Sequence, residues 1–278
     1  MEKLKILIPT DFSVQAEYAY LMVKKLEEKM PLDVHFLHVM AMPDTVTLDK
    51  NGNVQTCGDI DDKYVTQQKD IADRKLENLK TLYGQDINTK LVFGKLTDNI
   101  KNIAEAENFD LIVMGTKGAW GLKDKLSGTE TQMVARKTQV PLLSLMCDRS
   151  DLVIQNVLLV HNFNQPHNEN LQLLKKLISA FNVKVHLLQI ISAHEEQTEY
   201  KIQSNMEEFV KLNELSNCEY HIVSDKSVEN GVIHFNQMNN MDIICIGTHG
   251  RGGIFHHSAT EALINHMYKP IISFHLKP

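Results

Sequence analysis

Short apolar runs alternate along this chain with longer amphipathic stretches. Lys5-Ile-Leu-Ile-Pro9 is uninterrupted by polar positions after its lysine, as in a strand buried on both faces of a sheet. Thr10-Asp11-Phe12-Ser13 follows, with Ser13 placed to cap a helix over residues 14–30. A second strand is predicted at 33–39. The segment 41–63 then breaks the pattern. Pro43 and the turn signal Asn51-Gly52-Asn53 there suggest a small hairpin joining Val46-Thr-Leu48 to Val54-Gln-Thr56. A helix at 64–82, a strand at 89–93, a helix at 99–106, a strand at 110–114, a helix at 130–137 and a strand at 141–146 complete the series. Strands alternating with helices imply an α/β fold, a parallel sheet covered on both faces. Ligands of such sheets sit beyond the carboxyl ends of the strands, so the loops after Pro9, Val39 and Met114 become the candidate site.

The series then repeats. Val157-Leu-Leu-Val-His-Asn-Phe-Asn164 lies over Ile6 to Ser13, and Val185-His-Leu-Leu-Gln-Ile190 over Val34 to Val39. Asp242-Ile-Ile-Cys-Ile-Gly247 lies over Asp110 to Gly115, and Lys269-Pro-Ile-Ile-Ser-Phe274 over Val140 to Leu145. Two tandem domains are expected, at 1–147 and 152–278, joined by the polar piece Asp148-Arg-Ser-Asp151. The second is shorter mainly because it lacks the 41–63 excursion. The last strand of each copy is apolar, and an exposed apolar edge invites aggregation unless it is paired.

Composition narrows the function classes. A net charge of −6 over 278 residues argues against nucleic acid as a main partner, since phosphate backbones are held by excess Lys and Arg. No apolar stretch approaches the roughly 18 residues that a membrane span needs, so no membrane insertion is expected. The N-terminus runs straight into a strand, and a cytoplasmic location is expected. The four cysteines are far apart and form no C-x-x-C pair, which favours reduced, structural thiols.

The chemistry concentrates where Asp110-Leu-Ile-Val-Met114 runs into Gly115-Thr116-Lys117-Gly118, followed by Gly128-Thr129 and a helix. A strand that ends in glycines before a helix can hold phosphate, because backbone N–H groups converge there and the helix start adds positive potential. The spacing is neither a P-loop nor a G-x-G-x-x-G dinucleotide loop, and no Ser-Gly-Gly-rich loop follows the first strand. Taken alone, such glycines are ordinary turn residues. Combined with Asp11 on the facing loop, the G-x2-G-x9-G-T pattern is more specific.

With these residues and the internal repeat, the chain resembles a tandem universal stress protein along nearly its whole length. The resemblance implies two Rossmann-like domains of the adenine nucleotide alpha hydrolase type. Each would have five parallel strands, and the terminal strands would pair in an internal pseudo-dimer. It also implies binding of ATP or AMP; separately, Asp11 is a residue that could hold magnesium through the phosphates and support slow ATP hydrolysis at most. By position, Asp11 and the backbone of Val39 would meet the adenine end, and Pro9 and Gly115 would border the ribose. Gly118, Gly128, Thr129 and the backbone of Glu130 would hold phosphates. Thr10 and Met114 flank these positions, and Lys117 replaces a basic residue common in the family just after Gly118, where Ala119-Trp120 stand here. The plainer readings are a turn residue for Asp11 and a solvated side chain for Lys117.

The second copy has Asn162 at the aspartate position and Ala259-Thr260 for Gly-Thr, with the spacing from Gly250 one residue short. One competent site, in the first domain, is therefore expected. Eleven of the thirteen histidines fall in the second copy. Their spacing matches no zinc pattern, which suggests scattered surface histidines and no metal site. No catalytic constellation can be placed, so a nucleotide-binding stress-response regulator with an unidentified protein partner leads. A slow ATPase is the second reading. The third is an interaction module whose vestigial pocket takes a protein or a lipid-like ligand. The tandem could act as a monomer or as a homodimer.

Overall fold

The computed structural model describes residues 3–41, 46–48, 54–56, 59–116, 129–163, 170–191, 198–249 and 254–276. The first half contains β1 (Leu4–Pro9), α1 (Val14–Glu27), β2 (Leu32–Met40), the hairpin β3 (Val46–Leu48) and β4 (Val54–Thr56), and α2 (Asp59–Tyr83). It continues with β5 (Asn88–Phe93), α3 (Leu96–Ala106), β6 (Leu111–Gly115), α4 (Glu130–Lys137) and β7 (Leu142–Leu145). The second half contains β8 (Asn156–Val160), α5 (Gln172–Phe181), β9 (Lys184–Ile191), α6 (Glu199–Leu212) and β10 (Cys218–Ser224). It ends with α7 (Val228–Asn239), β11 (Ile243–His249), α8 (Ile254–His266) and β12 (Ile271–Leu276).

Ten strands form one sheet in the order β10-β9-β8-β11-β12-β7-β6-β1-β2-β5. Within each half the neighbours are parallel. The halves join where β7 and β12 run antiparallel, Leu142 opposite Ser273 and Ser144 opposite Ile271. This is the expected pairing of terminal strands, and it removes both apolar edges. Leu142, Leu143, Ile271 and Ile272 are all buried at the seam, each worth about 1.5–3 kcal/mol relative to exposure. The Ser144 and Ser273 hydroxyls each donate across it, to the carbonyls of Ile271 and Leu142, both at 3.4 Å. Because the strands of the two halves run in opposite directions, their carboxyl ends open on opposite edges of the sheet.

Strand alternation sorts the core into two layers. Ile6, Ile8, Val34, Phe36, Leu111 and Val113 face α1 on one side. Leu7, Leu37, Ile112 and Met114 face the α3–α4 side. Both layers run continuously into the second half. The Ser13 cap is present, its Oγ accepting from the Ala16 N–H at 3.4 Å. Helix α1 stops at Glu27 rather than 30. The Lys29 and Met30 N–H groups both turn back to the Leu26 carbonyl, and Met30 extends the apolar period by folding under the helix end. Helices α2 and α3 begin earlier than their sequence signals. Lys95, which precedes α3, makes no side-chain cap.

Candidate functional site

A cleft of about 580 Å³ opens at the carboxyl edge of the first half, within the range of small-molecule sites. Pro9, Thr10, Asp11, Val39, Met114, Gly115, Thr129 and Glu130 all line it. Loops distant in sequence thus meet around one space. Lys117, Gly118 and Gly128 lie outside the described residues.

The floor of the cleft comes from the turn after β1. The Thr10 N–H donates to the Leu37 carbonyl at 2.8 Å, which prolongs the β1–β2 ladder by one residue. Thr10 Oγ1 accepts from the Phe12 N–H at 3.0 Å, and Asp11 Oδ1 accepts from the Ser13 N–H at 3.0 Å. These short-range bonds hold Phe12 at φ 63°, a left-handed conformation that is uncommon for a bulky residue and costs on the order of 1–3 kcal/mol. The Phe12 ring lies 4.6 Å from the His38 ring and 5.0 Å from the Lys75 ammonium. Asp11 is therefore both a turn residue and a cleft residue. Its single turn bond leaves most of the accepting capacity of a carboxylate for a ligand.

The opposite wall is the end of β6. A Cβ on Gly115 would stand 1.9 Å from the Gln15 carbonyl oxygen, so only glycine lets β6 pass the first turn of α1. Packing alone accounts for this glycine. The Thr131 hydroxyl donates to the Gly115 carbonyl at 3.3 Å, so the chain leaves β6 and re-enters α4 at one point.

Thr129 caps α4 in a reciprocal box. Its Oγ1 accepts from the Gln132 N–H at 3.3 Å, while its own N–H donates to Gln132 Oε1 at 2.7 Å. A hydroxyl that accepts here keeps its own proton for another acceptor, and the helix start keeps its positive end toward the cleft. The T-x-x-Q spacing at 129–132 is the signal that identifies Gln132. Its amide also donates to the Glu261 carbonyl on α8 at 2.6 Å, beside the Arg136–Glu261 ion pair at 2.7 Å. The α4 cap at the cleft is thus tied to the second half.

Sequence reasoning also missed His38 and Gly94. His38 Nδ1 lies 2.7 Å from the Thr10 carbonyl; a carbonyl only accepts, so Nδ1 carries a proton, and in the neutral form of the ring Nε2 is the acceptor. Gly94, at φ 122°, turns the chain after β5 into the cleft wall, where a strand ending in glycine is the available signal.

The second half differs at the equivalent places. Thr260 lies inside α8, which starts at Ile254, and is buried, whereas Thr129 caps the start of α4. Phe163, equivalent to Phe12, is fully buried against Phe209 at 5.0 Å between ring centroids, and the His161 ring packs against both, at 4.9 Å and 5.0 Å. Among the described residues after β8, His161 and Phe163 are thus packed into the core. The histidines of this half are not all at the surface either. His161 and His186 are buried, and His186 contacts His221. His249, His256 and His257 have no described side chains. Burial pushes the Cys245 thiol up to about 12 and Cys218 up to about 11, as expected of inert thiols. Among the described residues, no helix is long and apolar enough to cross a membrane.

A doubly wound sheet with a cleft over its first, second and sixth strands defines a Rossmann-like α/β protein. The family model of the universal stress protein family matches residues 4–145, half of the chain. The chain belongs to that family. It is 31% identical over 150 residues to the universal stress protein MJ0577 of Methanocaldococcus jannaschii, spanning 50% of this chain and 92% of the relative. A second protein of that organism, universal stress protein MJ0531, is 27% identical over 139 residues, spanning 50% of this chain and 79% of the relative. The crystal structure of a universal stress protein from Archaeoglobus fulgidus superposes with a TM-score of 0.71 at 18% identity, covering 98% of this chain and 96% of that one. That likeness extends the fold over both halves.

Proposed function

We propose that the chain is a stress-response regulator that binds one adenine nucleotide, ATP or AMP, in the first-half cleft. The observation that carries this reading is the meeting of the Asp11 turn, the β2 and β6 ends and the α4 N-terminus around one space. The Asp11 carboxylate accepts from a ribose hydroxyl or the adenine amino group, and His38 Nε2 offers a second acceptor nearby. The Thr129 hydroxyl and the start of α4 face the phosphates, and Gly118, Gly128 and Lys117 are the further residues assigned to phosphate on this reading. Magnesium would bridge phosphate oxygens, since that ion usually takes few protein ligands. On this reading the second half is a second domain of the same family whose own site is lost, because its threonine lies within a helix and its turn is filled by Phe163. The nucleotide state is passed to a protein partner in the cytoplasm, and the Gln132 link between α4 and α8 offers a route to the second half.

Isothermal titration of the purified chain with ATP and with AMP, each with and without magnesium, tests the proposal. Saturable binding at one nucleotide per chain is expected. Absence of heat and of any thermal shift with either nucleotide would favour an interaction module instead.

A further inference from the structure

His186 on β9 and Glu219 and His221 on β10 converge on the sheet face that carries α7. The β9–β10 register sets Glu219 directly opposite His186, and strand alternation brings His221 to the same face. His186 Nδ1 lies 3.0 Å from His221 Nε2. Glu219 Oε2 lies 3.8 Å from His186 Nδ1, and Glu219 Oε1 lies 3.9 Å from His221 Nε2. A tetrahedral zinc ion bound at about 2.0–2.1 Å sets its ligand atoms roughly 3.3 Å apart. One carboxylate oxygen and the two nitrogens lie within 4.8 Å of one another, so small side-chain rotations bring them to three corners of such a site and leave the fourth for water.

We propose that His186, Glu219 and His221 bind a zinc ion at the outer edge of the second half. The surroundings supply what a ligating histidine needs. His186 Nε2 lies 3.2 Å from Asn156 Oδ1. The amide oxygen takes the ring proton and leaves the Nδ1 lone pair directed at the trio, the usual orienting partner of a metal-bound imidazole. Burial holds both imidazoles below their ordinary pKa, so they are neutral, as ligands must be. His221 now shares its Nε2 proton with His186; it binds metal in the tautomer that carries the proton on Nδ1. Glu219 is half-exposed on the last strand of the sheet, which gives an entry path. The Lys184 ammonium already pairs with it, marking a place where positive charge is favoured and which the zinc would take over.

The fold does not require this arrangement. The equivalent positions of the first half hold His35, Asn88 and Lys90, with Lys5 in place of Asn156. There His35 pairs with Asp33 at 2.9 Å, and Lys5 and Lys90 both pair with Glu107. Two ammonium groups stand where the second half has a ligand and its orienting amide. The trio is also remote from the nucleotide cleft, so this inference does not depend on the proposed function.

The test is a competition titration of zinc against a chromophoric chelator, using the full, tag-free chain after chelator treatment. The wild type should hold one zinc ion more tightly, by at least about tenfold, than the Glu219→Gln and His221→Gln chains. Cobalt(II) added in place of zinc should give the visible absorption of a tetrahedral nitrogen–oxygen site in the wild type and lose it in both variants. Glu219 is half-exposed, so Glu219→Gln keeps the fold even if His221→Gln does not. Identical titrations of wild type and Glu219→Gln, or a cobalt spectrum unchanged by that substitution, would overturn the proposal.

Discussion

Asp11→Asn separates the two tasks of the residue at the centre of the cleft. In the structure, Asp11 Oδ1 accepts from the Ser13 N–H at 3.0 Å, and an asparagine oxygen makes the same turn bond. Stability should therefore change by less than about 0.5 kcal/mol, the scale of neutral surface substitutions. What the substitution removes is the charge offered to the ligand. A hydrogen bond to a charged group contributes about 1.5–3 kcal/mol, and each 1.4 kcal/mol is about tenfold in affinity. The nucleotide Kd should rise about 10- to 150-fold. Asp11→Ala should lose the same affinity and, in addition, about 1 kcal/mol of stability through the missing turn bond. Isothermal titration with ATP and urea unfolding of the three chains read both quantities. Wild-type affinity in Asp11→Asn, or an affinity loss confined to Asp11→Ala, would show that Asp11 only shapes the turn.

Gly115→Ala should destabilise the chain by about 1–3 kcal/mol or more, because the new methyl meets the Gln15 backbone at 1.9 Å; urea unfolding measures it. Thr129→Ala should cost about 1 kcal/mol through the lost cap, while Thr129→Ser keeps nearly all of it; the same unfolding series compares them. Burial lowers the pKa of His186 and His221 from 6.5 in the folded chain, so the unfolded chain binds more protons below that value. Their contribution to stability is whole above about pH 6.5 and is lost as pH falls from there. Urea midpoints between about pH 7.5 and about pH 5 should decline on acidification, and less steeply in His221→Gln.

The strands were legible in the sequence because most are buried on both faces, and an unbroken apolar run such as Ile6-Leu-Ile8 has few other uses. The repeat was legible for the same reason, since each pair of matched runs occupies matched places in one sheet. Helix ends were less so. Helix α3 starts at Leu96 without a side-chain cap to announce it, and α8 starts before the position where its counterpart is capped. The cleft residues Asp11, Val39 and Thr129 stood out because strand ends in such sheets meet at one edge. His38 and Gln132 did not, because their roles rest on bonds across the fold, to the Thr10 carbonyl and to Glu261. The His186–Glu219–His221 group escaped for a similar reason. Glu219 and His221 lie 33 and 35 positions after His186, and only the β9–β10 register brings them to it.

The central claim is that one half binds a nucleotide and the other does not. Native mass spectrometry of the purified chain with added ATP tests it most directly. A single nucleotide mass per chain is expected, lost in Asp11→Asn at the same ATP concentration. Two nucleotides per chain, or one that persists undiminished in that variant, would contradict it.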